Sequence, residues 1–233
     1  LANNHALDRG RYGIEVTSDF FESAAAKSPG DGPRCLGVNR GRCGIASENE
    51  INRGCYEIVS KNGIRVALFN YTYGLNGLDL SDSSKFEESA VNILPPLSDN
   101  PAYEELISDI GEARGRADFV IFFVHWGEEY ETKPNEFQTK WAKVFLESQV
   151  DVLIGTHPHV VQPCEFIKDE KGHEMLVFYS LGNLISTQKG EECRLGIIAD
   201  FTLVKEPDGS CHIGQHDSHR INSSFWGKIS GAE

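Results

Sequence analysis

The sequence lacks any apolar run approaching the ~18 residues that a membrane-spanning helix needs, and it has no signal-peptide pattern. Basic residues are scarce: 22 Lys and Arg stand against 35 Asp and Glu, for a formal net charge of −13. This charge repels phosphate backbones, so we expect no nucleic acid among the partners. The polar opening at Leu1 suggests that the natural N-terminal segment is missing, in which case the lack of a leader decides nothing about localisation.

Several site motifs are also missing. None of the six cysteines forms a Cys-x-x-Cys pair, which argues against a structural zinc knot. We expect mostly buried free thiols, with Cys35, Cys43 and Cys55 the first to pair if any disulfide forms. Ser180 lacks a Gly-x-Ser-x-Gly elbow, and no dinucleotide or P-loop glycine pattern occurs. These absences disfavour a serine hydrolase, a dinucleotide site and a P-loop site.

The elements that are present predict an α/β fold. Continuous apolar runs are typical of strands buried on both faces, and they occur at 64–69, 119–124, 152–154 and 175–179. Helical spacing predicts helices at 11–27, after Asn100-Pro101 and from Pro134 onward, the first with Ile14, Phe20, Phe21 and Ala24 facing inward. We expect an irregular loop at 29–52 with a short strand at 35–38, and a strand at 195–203 beyond which the pattern fades. Strands alternating with helices predict an α/β sheet covered on both faces. The 233 residues fit one fairly large domain or two small ones, and we interpret 1–233 as a single domain.

Histidines follow two of the predicted strands. His125 ends the 119–124 run, and His157 and His159 follow the 152–154 run. Residues two apart on an extended segment point the same way, and Pro158 favours extended geometry at His157. Imidazole is a common ligand for first-row metals, so we interpret the three histidines as one polar, metal-binding site. The alternative is a rigid loop whose histidines cap backbone groups. His173, His212, His216 and His219 are expected to be exposed.

Other polar residues are harder to assign from the sequence. Asn4 and His5 could bind a metal and donate a proton, or Asn3 or Asn4 could simply cap a helix. Glu128 or Glu129, and Glu165, could orient an imidazole, although exposed glutamates are usually just solvated. Asn183 could line the same cleft or serve only as a turn residue.

Five segments, taken in order, resemble the bacterial capsule-synthesis protein family of the CapA type: ANNHALDRG, NGIRVALFNYTYGLNG, VHWGEEYETKPNEFQ, GTHPHVVQPCEFI and YSLGNLIS. The resemblance extends from Leu1 to about Phe201. It implies a role in poly-gamma-glutamate biosynthesis and a fold similar to the calcineurin-like metallophosphoesterases, a four-layer α-β-β-α sandwich. Implied partners are poly-gamma-glutamate or another anionic capsule polymer and membrane-bound synthase subunits, at an extracytoplasmic, membrane-associated location.

The resemblance also implies roles for single residues. Asn4 matches a metal-ligating asparagine, and His5 matches the histidine that helps to protonate the leaving group. His125, His157 and His159 match metal ligands of a centre with two divalent ions (Mn, Fe or Zn). The aspartate-bearing segments of the phosphoesterase pattern precede the Asn-His and are not in this chain, so its carboxylate ligands are missing. Two functions follow: a metal-dependent hydrolase, or a non-catalytic accessory that binds the polymer through bridging cations.

Overall fold

A computed structural model describes residues 2–27, 56–77, 91–98 and 100–222. The chain divides into two compact units, Leu1–Ala117 and Asp118–Glu233. The strand predicted at 35–38, the loop at 29–52 and the three cysteines between 35 and 55 lie outside the described residues. Of the helices that the structure describes, none is long and apolar enough to cross a membrane.

The first unit combines helices with a β-hairpin: α1 (Gly10–Lys27), β1 (Tyr56–Lys61), β2 (Ile64–Thr72) and α2 (Pro101–Arg116). β1 and β2 pair antiparallel across Asn62-Gly63, where both residues have positive φ, as a tight hairpin turn requires. α2 begins where predicted, since the Asn100 side chain accepts a hydrogen bond from the backbone N–H of Tyr103. β2 alternates between buried and half-exposed residues, so the prediction that it is buried on both faces is wrong for much of its length.

α1 confirms the predicted helix but corrects its inward face. Ile14 is buried as expected, and buried Ser18 lies one turn further along the same face. Phe20 is 66% exposed, because two residues beyond Ser18 the helix has turned to its opposite side. Its exposed neighbours on that side are Tyr12 and Val16.

The second unit carries most of the sheet. Its elements are β3 (Phe119–His125), α3 (Glu136–Glu147), β4 (Val152–Thr156), β5 (Cys164–Lys168), β6 (Glu174–Phe178), a short 3-10 turn (Glu192–Arg194), β7 (Leu195–Lys205) and β8 (Cys211–Asn222). Four strands lie in the order β3-β4-β6-β5. β4 runs parallel to both β3 and β6, and β5 is antiparallel to β6. β3, β4 and β6 are almost wholly buried, which confirms the prediction from their apolar runs.

α3 connects the parallel strands β3 and β4 and begins slightly later than predicted. Asn135 is its N-cap and forms a capping box with Gln138, so Pro134 precedes the helix instead of opening it. Trp141 and Phe145 are buried, and the Phe145 ring lies 4.2 Å from that of Phe122 in β3. These aromatic contacts fix the helix on the sheet.

Two strands of the second unit carry no apolar pattern. β5 is an edge strand with mostly exposed side chains, and β8 pairs with β7 through its backbone while its side chains face solvent. His212, His216 and His219 of β8 are exposed as expected. The expected exposure of His173 is wrong, since it is half-buried with its Nε2 2.8 Å from the Val150 carbonyl oxygen.

The described cysteines correct the expectation of buried thiols. Cys193 is a buried free thiol, whereas Cys164 and Cys211 are free and exposed. The two exposed thiols lie on β5 and β8, the strands that the apolar pattern did not reveal.

Two phenylalanines provide a test of these burial assignments. Replacing buried Phe122 with Ala should lower the free energy of unfolding by ~3–5 kcal/mol, because a large core cavity remains. Phe20→Ala on the exposed face of α1 should change it by less than about 0.5 kcal/mol. Chemical denaturation followed by circular dichroism measures both, and a large loss from Phe20→Ala would contradict the corrected helix face.

Candidate functional site

The register of two parallel strands brings the first two histidines together. His125, the last residue of β3, lies opposite Thr156, the last residue of β4. His157 follows Thr156 directly, so both imidazoles reach the same edge of the sheet. Nε2 of His125 and Nδ1 of His157 lie 3.1 Å apart, with ring centroids 4.8 Å apart.

Thr156 fixes the ring of His125. Its hydroxyl donates to the Val124 carbonyl oxygen at 3.4 Å and lies 3.0 Å from His125 Nδ1. When the hydroxyl hydrogen points to the Val124 carbonyl, the hydroxyl oxygen accepts from Nδ1–H, and Nε2 of His125 then faces His157 with its lone pair. Thr156 is a site residue that the sequence did not single out, although it lies within the Gly-Thr-His-Pro-His segment.

Asn183 fixes the ring of His159 in the same way. The Asn183 amide nitrogen donates to Gln188 Oε1 at 3.1 Å and to the Cys193 carbonyl at 3.0 Å. Its Oδ1 consequently faces His159 Nδ1 at 2.9 Å and accepts from it. The neutral His159 ring then presents the lone pair of Nε2, the form in which histidine binds metals.

The backbone of the His-Pro-His turn differs from the prediction. His157 has φ of 100° and His159 of 62°, so the extended geometry expected at His157 is wrong. The two rings nevertheless lie on the same side, with centroids 6.2 Å apart. Tyr130 also has a positive φ, of 69°, and its backbone N–H donates to the Pro158 carbonyl at 2.8 Å. Non-glycine residues in this region are strained, and such strain concentrates at functional sites.

The acidic residues near the histidines also differ from expectation. Glu128 and Glu129 are both exposed, and it is Glu129 that approaches the site, with a carboxylate oxygen 3.9 Å from His159 Nε2. The negative charge of Glu129 raises the pKa of Tyr130, whose ring stacks on His159 at 6.0 Å. Neither Tyr130 nor Gln188 carried a signal in the sequence.

Glu165 has a different partner from the one proposed. It lies on the exposed edge strand β5 and hydrogen-bonds the hydroxyl of Tyr179. Burial, with a smaller effect of the Glu165 charge, raises the pKa of Tyr179 to about 12. This contact replaces the expected one between Glu165 and a histidine.

A close-packed contact supports the site from behind. The indole N–H of Trp126, next to His125, donates to the Tyr179 carbonyl at 2.9 Å. Gly155 lies against this pair, and a Cβ at that position would meet Trp126 Nε1 at 2.5 Å and collide with the Tyr179 carbonyl. Only glycine lets β4 deliver Thr156 and His157 at this distance from β6.

In the first unit, Asn4 and His5 take different roles in a local turn. The Asn3 carboxamide oxygen accepts from the backbone N–H of His5 at 2.8 Å, so the turn is capped by Asn3. Asn4 is buried and donates to Asn76 Oδ1 at 2.9 Å. The exposed His5 ring pairs with Asp8 Oδ2, 2.8 Å from its Nδ1.

The donor atoms fit part of a metal centre. Nitrogens 3.1 Å apart can both lie ~2.0–2.1 Å from one first-row ion, at an angle of about 95–100°. His125 and His157 thus fit two neighbouring coordination positions. Among the residues that the structure describes, however, no group of three or more His, Cys, Asp or Glu is arranged to hold an ion by itself. An amide oxygen or water could supply further ligands.

The chain is similar to a solved structure and matches a protein family. It resembles the putative 5'-nucleotidase from Staphylococcus aureus solved in complex with alpha-ketoglutarate, with a TM-score of 0.51 at 14% identity, over 93% of this chain and 36% of that one. The two chains share a mixed α/β fold, which agrees with the fold class that the resemblance implies. Residues 1–188 match the family described as bacterial capsule synthesis protein PGA_cap, and the chain belongs to that family.

Two curated relatives share most of this chain. The "PGA biosynthesis protein CapA" of Bacillus subtilis (strain 168) is 28% identical over 219 residues, covering 94% of this chain and 50% of that protein. The "Capsule biosynthesis protein CapA" of Bacillus anthracis is 32% identical over 193 residues, covering 81% of this chain and 39% of that protein. The chain thus spans half or less of the length of these relatives.

Gly155 offers a test of how the site is built. Gly155→Ala should lower the free energy of unfolding by at least about 2 kcal/mol, because the added Cβ has no room against Tyr179 and Trp126. Gly111→Ala is the matched control, since a Cβ there meets nothing and alanine favours the helix by ~0.5–1 kcal/mol. Denaturant titration of both variants decides, and a stable Gly155→Ala protein would contradict the close approach.

Proposed function

We propose that this chain acts in the biosynthesis of a bacterial capsule polymer, poly-gamma-glutamate, through a metallophosphoesterase-like metal site. The family membership and the names of both Bacillus relatives support the biosynthetic role. The observation that carries the metal site is the 3.1 Å approach of two imidazole nitrogens from adjacent parallel strands.

In this proposal, His125 and His157 hold a divalent ion (Mn, Fe or Zn), and His159 offers a third nitrogen. Asn4 is the amide ligand that the family pattern assigns. A second ion would complete a dinuclear centre. When bound, such ions polarise a phosphoester and lower the pKa of water enough to generate a nucleophile near neutral pH.

The protein's own groups would orient the reaction. Thr156 and Asn183 hold two of the rings by their Nδ1–H groups, so the ligand nitrogens face the site without rearrangement. His5 is assigned as the proton donor to the leaving group. Its Nδ1 lies 2.8 Å from the Asp8 carboxylate, which would orient the ring.

Removing ligands should remove metal in a graded way. His157→Ala should lose bound Mn, Fe or Zn, and Thr156→Val should bind it about tenfold more weakly, because His125 loses its hydrogen-bond partner. His212→Ala, on the exposed strand β8, is the control and should keep its metal. Elemental analysis after dialysis measures retention. Equal metal content in all three variants would contradict the assignment.

Hydrolysis is tested separately. The metal-loaded chain should hydrolyse a generic aryl phosphate, and His5→Ala should reduce the rate roughly 100-fold while leaving the metal content unchanged. Turnover unaffected by His5→Ala would exclude its role as the proton donor.

A second candidate is a non-catalytic accessory that binds the polymer through bridging cations. The net charge of −13 favours it, since this surface repels a polyanion unless cations intervene. The polymer and membrane-bound synthase subunits would be its partners. An extracytoplasmic, membrane-associated location belongs to both versions of the proposal, because a capsule lies outside the cell.

Chelation separates the two candidates. If cations bridge, long poly-gamma-glutamate should bind in the presence of Mg²⁺ or Ca²⁺ and lose at least tenfold in affinity after EDTA, without any aryl phosphate turnover. Light scattering or sedimentation follows the complex. Tight binding of the long polymer that ignores EDTA would contradict bridging.

A further inference from the structure

The second unit contains a cavity outside the histidine site. It lies between α3 and the β5–β6 hairpin and has a volume of about 630 Å³, within the ~300–1,000 Å³ typical of ligand pockets. Its floor is apolar, formed by Ala142 and Leu146 of α3, Ile167 of β5 and the ring of Tyr179. Such a floor suits the methylene groups of a small polar ligand.

The rim of this cavity carries both signs of charge. Lys143, Lys168 and Lys171 come from α3, from β5 and from the following turn. Three carboxylates also line it, so the lining is formally neutral in a chain of net charge −13. Among these carboxylates, Glu147 and Glu170 are exposed on α3 and on the turn.

The third carboxylate, Asp169, is already used by the fold. Its Oδ1 accepts from the backbone N–H of Lys171 and of His173, and its Oδ2 accepts from Gln149. These bonds hold the turn that carries Lys171. The carboxylates that remain to meet a ligand are Glu147 and Glu170.

The existing ion pairs on the rim are weak. Lys143 Nζ lies 3.8 Å from Glu147, and Lys168 Nζ lies 3.1 Å from Glu174, with all four side chains exposed by more than half. Exposed pairs contribute only ~0–1 kcal/mol, so a ligand can replace them at little cost. The rim can therefore offer ammonium groups to ligand carboxylates and carboxylates to a ligand ammonium.

We propose that this cavity binds a zwitterionic glutamyl end, the amino-terminal residue of a gamma-linked glutamyl chain. This identification of the ligand rests on the proposed role in poly-gamma-glutamate biosynthesis. The interior of such a chain carries carboxylates alone, which Glu147 and Glu170 would repel. Its amino-terminal residue adds an ammonium group, and its methylenes fit the floor around Leu146 and Ile167.

Calorimetric titration with a gamma-linked glutamyl trimer in EDTA tests the proposal. The trimer with a free amino end should bind, and its N-acetylated form should bind roughly tenfold more weakly, because the ammonium charge is lost. Glu147→Gln with Glu170→Gln should weaken the free trimer but not the acetylated one, because the acetylated trimer carries only carboxylates, which these glutamates repel. Lys143→Ala with Lys168→Ala and Lys171→Ala should weaken both.

Two control variants isolate the cavity. Lys140→Ala removes a lysine from the same helix, where it pairs with Glu136, and should bind the trimer normally. His157→Ala should also bind normally, so failure of the metal site and failure of the cavity give different results. Equal affinity for the free and acetylated trimers, no loss in the triple lysine variant, or no binding at all overturns the proposal. Equal affinity for monomeric glutamate overturns the chain end as its source.

Discussion

The parallel pairing of β3 with β4 is the constraint on which the histidine site depends. It places His125 opposite Thr156, so that His157, one residue later, meets His125 without any help from long loops. The pairing requires Gly155, because Trp126 and Tyr179, which directly follows β6, fill the space where a side chain would go. One glycine, one indole and one carbonyl therefore set the spacing of two ligand nitrogens. A shift of this strand by one residue would turn the site toward the core.

Much of this arrangement could be predicted from the sequence, because buried strands of a parallel sheet are continuous apolar runs. The predicted strands at 119–124 and 152–154 correctly placed His125 and His157 at one edge of the sheet. The backbone at His157 could not be predicted, since the restriction imposed by Pro158 disfavours helical geometry but does not select the left-handed φ observed. The prediction for Phe20 was wrong because a helix with apolar residues on two sides does not reveal which side is covered.

Edge strands and the hydrogen-bonded partners of single residues could not be predicted from the sequence either. β5 and β8 are held by backbone pairing with exposed side chains, and such strands have no apolar alternation to detect. Glu129, and not Glu128, approaches His159 because of the conformation of the turn that carries both residues. Glu165 contacts Tyr179 because of the position of its edge strand. Neighbouring glutamates look alike in a sequence, and only tertiary geometry separates them.

The positive φ of His157 has a consequence for how this chain can change over time. Glycine would adopt this conformation freely, so replacing His157 with glycine would relieve backbone strain while removing an imidazole. At this position, backbone stability therefore favours glycine, whereas metal binding favours histidine. A lineage that no longer needed the site would be expected to drift toward small, flexible residues here first. A histidine in this turn costs backbone stability, and a function of its ring is what could offset that cost.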